Sequence, residues 1–244
     1  ICHKTAGSWV GFGYNGYGQL GLGDTTHRNT PTAITSLGTD TELCVTGGHH
    51  SMCRKTAGSW VGFGHNGNGE LGLGDTTNRN TPTAITSLGT DTELWVTGYH
   101  HSICRKTAGS WVGFGHNGDG QLGLGDTTNR NTPTAITSLG TDTELCVTGY
   151  FHSMCRKTAG SWVGFGYNGN GELGLGDTTH RNTPTAITSL GTDTELCVSG
   201  SMSFHNMCLK ADSSWVGFGR NGYGQLGLGD TTDRNTPVAV MAGL

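Results

Sequence analysis

Charge is scarce in this sequence. Only 13% of the 244 residues are Asp, Glu, Lys or Arg, about half the usual share for a soluble domain, and the formal net charge is -4. A weakly acidic chain lacks the basic surface that binding to a phosphate backbone requires, so no nucleic-acid partner is expected. Proline is equally sparse, with 5 residues, and no apolar run approaches the roughly twenty residues of a membrane span. Helical periodicity is missing too: apolar residues fall in short alternations, bounded by Gly and Asn-Gly pairs. There is no Cys-x-x-Cys pair, and there is no initiator Met or charged-then-apolar leader before Ile1, which reads as the start of a processed product or a fragment.

What the chain has in excess is glycine, 44 residues without a collagen-like period. The glycines punctuate a repeat. Ser8-Trp9-Val10-Gly11-Phe12-Gly13 returns at Ser59, Ser110, Ser161 and Ser214, in three steps of 51 residues and one of 53. The two extra residues fall within Ser199–Asn206. Each module reads as four short strands. In the second they are Glu42–Thr46, Ser51–Lys55, Ser59–Phe63 and Thr83–Ser87, with turns at Gly48-His49 and Ala57-Gly58 and a long ordered loop over Asn66–Pro82. A small sheet of four antiparallel strands cannot bury both faces alone, so neighbouring modules must stack. The expectation is an all-β propeller: one domain of five repeats, at approximately 1–38, 39–89, 90–140, 141–191 and 192–244. No helix should exceed one turn, and Trp9, Trp60, Trp111, Trp162 and Trp215 should be buried, one per blade. The first strand type, ELCVTG, occurs only four times. The ring is therefore expected to close by mixing Ile1–Gly13 with Pro237–Leu244 in a blade one strand short, leaving an edge that frays or pairs with another chain.

The string Asn15-Gly16-Tyr17-Gly18-Gln19-Leu20-Gly21-Leu22-Gly23-Asp24, followed by Arg28 and Pro31 and by a Gly47, His50, Ser51 step, resembles the regulator of chromosome condensation repeat along essentially the whole chain. The resemblance implies closed rings of four-stranded blades and a scaffold shared by members of differing activity. The best-known members carry more than five blades, and Phe12 stands where Trp is usual.

Several motifs invite chemistry. Gly11-x-Gly13-x-x-Gly16 matches a dinucleotide fingerprint, but no helix follows to hold a pyrophosphate, so turn chemistry is preferred and no cofactor is expected. Cys44 and Cys53, Cys146 and Cys155, and Cys197 and Cys208 face each other across turns and allow three disulfides. Trp95 stands where Cys104 would need its partner, and Cys2 faces no such strand, which favours buried thiols instead. His50, His101, His152 and His205 recur once per module, with His49 and His100 beside two of them. A His-lined metal site is conceivable, but a structural role bonding backbone in the next blade is preferred, and no metal is expected. Asp24 and Arg28, with their copies, read as a loop-locking ion pair, and Asn15 as a cap on turn backbone. The Asp, Glu and Lys positions read as recurring in register, without the asymmetry of a catalytic site, so the chain is read as non-enzymatic.

The copies are otherwise nearly identical, and two loop positions vary among them. After Phe-Gly come Tyr14, His65, His116, Tyr167 and Arg220; after the next Asn-Gly come Tyr17, Asn68, Asp119, Asn170 and Tyr223. These side chains suit recognition of a protein or a sugar, against the alternative of drift on a solvated loop. Three functions follow: a scaffold presenting this face to a protein partner, a self-assembling extracellular subunit, and a multivalent lectin. The Thr-rich loops and possible cystines favour an extracellular setting.

Overall fold

The computed structural model describes residues 1–4 and 7–240. It contains five antiparallel sheets. The first has three strands, β1 (Cys2–His3), β2 (Trp9–Gly13) and β3 (Arg28–Ala33). The second holds β4 (Thr41–Thr46), β5 (His50–Lys55), β6 (Trp60–Gly64) and β7 (Arg79–Ala84). The third holds β8 (Thr92–Thr97), β9 (His101–Lys106), β10 (Trp111–Gly115) and β11 (Arg130–Ala135). The fourth holds β12 (Thr143–Thr148), β13 (His152–Lys157), β14 (Trp162–Gly166) and β15 (Arg181–Ala186). The fifth holds β16 (Thr194–Val198), β17 (His205–Lys210), β18 (Trp215–Gly219) and β19 (Arg234–Ala239). Among the described residues the helices are single 3-10 turns, such as Thr86–Leu88, and none is long and apolar enough to cross a membrane.

The sheets group into two compact units, Ile1–Ala108 with Val112–His116 and Asn129–Thr134, and Gly109–Trp111 with Asn117–Thr128 and Ala135–Leu244. Each is built the same way. In the first, Trp60 is buried and donates from Nε1 to the Thr92 carbonyl in the next module, and Trp9 does the same to Thr41. In the second, Trp111 and Trp162 donate to Thr143 and Thr194. From the other side, the Gly-rich loop of one module covers the Phe of the next. A Cβ on Gly72 (φ +65°) would stand 3.1 Å from the Phe114 ring, and one on Gly69 (φ +86°) 2.4 Å from Asn131 Cα, so these two positions admit only glycine. The same loop exchanges bonds with the next module's fourth strand: Gly74 N to Asn131 O at 2.7 Å, and Asn131 Nδ2 to Gly74 O at 3.0 Å.

Three expectations need correction. The fourth strand of the second module is Arg79–Ala84 rather than Thr83–Ser87, and Pro82 lies inside it instead of ending a loop. It is an edge strand, where a missing N–H breaks no ladder bond. The closing blade does not form: β19 pairs with β18, Val238 opposite Gly217, and the first sheet takes β3 as its third strand. Residues 241–244 of that expected strand, and Thr5 of the N-terminal one, lie outside the described residues. Trp215 is 37% exposed rather than buried. Phe12 is likewise exposed, at 48%, where Phe63, Phe114, Phe165 and Phe218 are buried.

The ion pair and cap are as the repeat implies. Arg79 meets Asp75 at 2.6 Å and donates to the Thr77 carbonyl, and the buried Asn66 donates to Asp75 and Thr77 oxygens while accepting from Leu71 N. The pairs Arg28–Asp24, Arg181–Asp177 and Arg234–Asp230 repeat the 2.6 Å distance.

Cys44–Cys53, Cys146–Cys155 and Cys197–Cys208 are disulfides joining directly opposed residues, in place of the thiols the sequence favoured. Closing loops this short stabilises by about 2–3 kcal/mol each. The third module replaces its bridge by packing: Trp95, opposite Cys104, lies 4.6 Å from Trp60 and 5.5 Å from Phe114, ring to ring. Cys104 is buried, and burial pushes its thiol well above the usual value, whereas Cys2 is exposed. Aromatic disulfide reagent on the native, unreduced protein is therefore expected to titrate one thiol at once and a second only after denaturant; two fast thiols would contradict this packing.

Candidate functional site

The variable positions sit where the third strand leaves its sheet. Gly64 turns the chain at φ +106°, and a Cβ there would stand 2.5 Å from the His49 carbonyl oxygen. His65 N then donates to that oxygen at 2.8 Å. His116 with His100, Tyr167 with Phe151 and Arg220 with Phe204 repeat the bond. So in four of the five modules the variable residue after Phe-Gly lies beside the residue that precedes the recurring histidine of its own module. The second variable position opens a tight turn closed two residues on: Tyr17 N, Asp119 N and Tyr223 N donate to the Oε1 of Gln19, Gln121 and Gln225, and Asn68 N and Asn170 N to Glu70 and Glu172.

In the first unit these residues gather into a cluster of rings. Tyr14 packs on His27 at 4.7 Å, Tyr17 on His65 at 4.8 Å and on His49 at 5.0 Å, and Tyr99 edge-on against His100 at 4.4 Å. The Tyr99 hydroxyl and His49 Nε2 share a hydrogen bond of 2.5 Å. His116 lies 6.4 Å from His100. The second unit carries a different set. Tyr150 stacks on Phe204 at 4.7 Å, and Tyr167 meets Phe204 at 6.0 Å and His180 at 4.6 Å. Arg220 lies over both Phe204 and Tyr223, and Asp119 stands 3.6 Å from His180. Tyr14 and Tyr223 are the most exposed of the predicted residues, at 51% and 85%. Beside Arg220, Phe204, Met202 and Gln225 line an open depression of about 460 Å³.

Charge distinguishes the clusters at one position the sequence reading had taken as regular. Gln19, Gln121 and Gln225 alternate with Glu70 and Glu172. Burial pushes the Glu70 carboxyl up, but hydrogen bonds from His100 and His65, with Asn68, outweigh it and hold the group below the ordinary carboxylate range. At Glu172 burial prevails over the bonds from Asn170, and the carboxyl is raised. Burial, together with the Glu172 charge, also pushes the Tyr167 hydroxyl up.

Of the recurring histidines, His50 and His152 bond side chains rather than backbone in the next module, while His205 Nδ1 meets Ser203 Oγ in its own. His50 Nε2 meets Ser102 Oγ, and His152 Nε2 meets Asn206 Oδ1, each at 3.0 Å. Ser102 Oγ in turn donates to the Glu70 carbonyl and Asn206 Nδ2 to the Glu172 carbonyl, closing a link back to the first module. Burial lowers His50 and His152 to about 4. The Gly11, Gly13, Gly16 fingerprint spans a strand end and a turn, without a helix.

A chain of Gly-looped antiparallel sheets, four of them four-stranded, whose modules bond one to the next, is a repeat β-propeller by class. Its sequence matches the family model described as regulator of chromosome condensation (RCC1) repeat at residues 11–54, 62–105, 113–156 and 217–243, and the chain belongs to that family. The ultraviolet-B receptor UVR8 of Arabidopsis thaliana is 31% identical over 236 residues, which are 96% of this chain and 53% of the receptor. The human probable E3 ubiquitin-protein ligase HERC4 is 33% identical over 181 residues, 72% of this chain and 17% of the ligase. The chain thus spans about half of one relative and less than a fifth of the other. Among solved structures, yeast RCC1 (Prp20) bound to Kap60 superposes with a TM-score of 0.82 at 17% identity, covering 97% of this chain and 59% of that one. Human WBSCR16 gives 0.80 at 20% identity, covering 95% and 62%. At these identities the structures speak for the fold alone.

Proposed function

We propose that this chain is a non-catalytic scaffold whose loop face docks a partner protein. The observation that carries the reading is where side chains vary beside one another: at the ends of the third strands the modules differ, and there they present Tyr, His, Phe and Arg. Such residues supply large contact area at low entropic cost and dominate the energetics of protein interfaces. Fold relatives offer precedent, yeast RCC1 with Kap60 and Prp20p with Gsp1p and histones. The carbohydrate, self-assembly and extracellular readings gain no support from these comparisons.

The test is capture of partners from the source cells on immobilised protein, read by quantitative mass spectrometry. Tyr17→Ala in the first cluster or Tyr223→Ala in the second is expected to deplete a specific partner at least tenfold, while Thr83→Ala, on an edge strand, leaves capture intact. Equal capture by all three variants would refute the face assignment.

A further inference from the structure

The modules differ at three positions that come together once. His65 occupies the site of Tyr14, His116, Tyr167 and Arg220; Glu70 the site of Gln19, Gln121, Glu172 and Gln225; His100 the site of His49, Phe151 and Phe204. In the first unit, His65 Nδ1 lies 2.8 Å and His100 Nδ1 3.0 Å from the same oxygen, Glu70 Oε1. The three donor atoms all fall within 4.8 Å of one another, and among the described residues no other trio of His, Cys, Asp or Glu does so.

We propose that His65, Glu70 and His100 form a binding site for a divalent late transition metal, with zinc as its natural test ion. Two imidazoles and one carboxylate are a donor set that zinc takes with a fourth position open to water, while Mg²⁺ and Ca²⁺ favour oxygen donors throughout. The carboxylate is fully buried, and the imidazoles are 19% and 20% exposed, so the trio has a fixed floor and an open rim. Tetrahedral zinc with bonds of about 2.0–2.2 Å spaces its donor atoms about 3.3–3.5 Å apart, so the oxygen-to-nitrogen distances of 2.8 and 3.0 Å need open by about 0.3–0.7 Å while the two imidazole nitrogens, within 4.8 Å of one another, settle to the same spacing. The surroundings hold each ligand. Asn68 N and Nδ2 bond the two Glu70 oxygens at 2.8 and 3.0 Å, Tyr17 packs on His65, and Tyr99 packs on His100. Without metal, the ionised carboxylate accepts from both Nδ1–H groups. Metal needs those lone pairs, so each proton moves to Nε2 or to solvent on binding. The assignment stands apart from the protein-docking reading and survives its failure.

Sister modules supply test substitutions that the fold already accommodates. His65→Tyr copies Tyr14 and Tyr167, Glu70→Gln copies Gln19, and His100→Phe copies Phe151 and Phe204. Zinc binding is measured by competition with a chromophoric chelator, with magnesium as the control cation, and Co²⁺ absorption reports coordination geometry. The native protein is expected to bind one equivalent of zinc, each single variant to weaken it about 100-fold, and the triple variant to abolish it with folding intact by circular dichroism. Glu172→Gln, in the other cluster, is expected to leave binding unchanged. Zinc affinity no tighter than millimolar, or an equivalent retained by the triple variant, would overturn the site.

Discussion

Truncating Trp60 to Ala is expected to cost about 3–5 kcal/mol of stability, whereas Trp215→Ala costs less than half as much. The two residues hold the same place in their modules. Trp60 is 1% exposed, packed on Trp95, and donates to the next module's Thr92 carbonyl. Trp215 is 37% exposed. Removing Trp60 therefore opens a cavity at a junction between modules, while removing Trp215 trims a half-solvated ring. Urea unfolding of the two variants beside the parent measures the difference, and equal losses would show that junctions contribute little beyond the sheets themselves.

Acid is expected to weaken the fold steeply before the ordinary carboxylates titrate. His50 and His152 are buried and neutral, with burial the main cause of values near 4; at His50 the charges of His100, His65 and His49 add to it against Glu70, and at His152 the Asn206 bond opposes it. A histidine held below its unfolded value of 6.5 takes up its proton more readily in the unfolded chain. Its contribution is complete above that value and is lost as pH falls from about 6.5 toward 4. At pH 5 the loss is about 2 kcal/mol per histidine relative to pH 7. Denaturant midpoints between pH 7 and 5 should fall for the parent and fall less for His152→Gln. An identical slope in the variant would remove His152 as a cause.

Much of this architecture is legible in the chain because one module is written five times. The Trp and Gly-Asn signals mark third strands and turns whatever the packing around them. The fourth strand was misplaced because Pro82 usually marks a boundary, and nothing local says that its strand is an edge. The disulfides were underrated because Trp95 and Cys104 break the pattern, and only the three-dimensional packing shows aromatic stacking replacing a bridge there. Trp215 and Phe12 expose a limit of repeat reasoning: equal sequence does not by itself give equal burial. The loop positions His65, His116, Tyr167 and Arg220 are readable as variable. Their partners His49, His100, Phe151 and Phe204 are not, because some fifteen residues separate them from the positions they bond. Glu70 left one signal, its alternation with Gln, which reading the module as a uniform charge pattern hides.

The central claim is that the repeated residues hold the scaffold and the varied ones form the binding surface. The most direct measurement combines both properties in one variant carrying Tyr14→Ala, Tyr17→Ala, Tyr167→Ala and Tyr223→Ala. Its thermal midpoint should stay within a few degrees of the parent, since exposed and half-exposed rings contribute little to the core, while capture of the specific partner is lost. A midpoint that collapses, or capture that persists undiminished, would contradict the division of labour between repeated and varied residues.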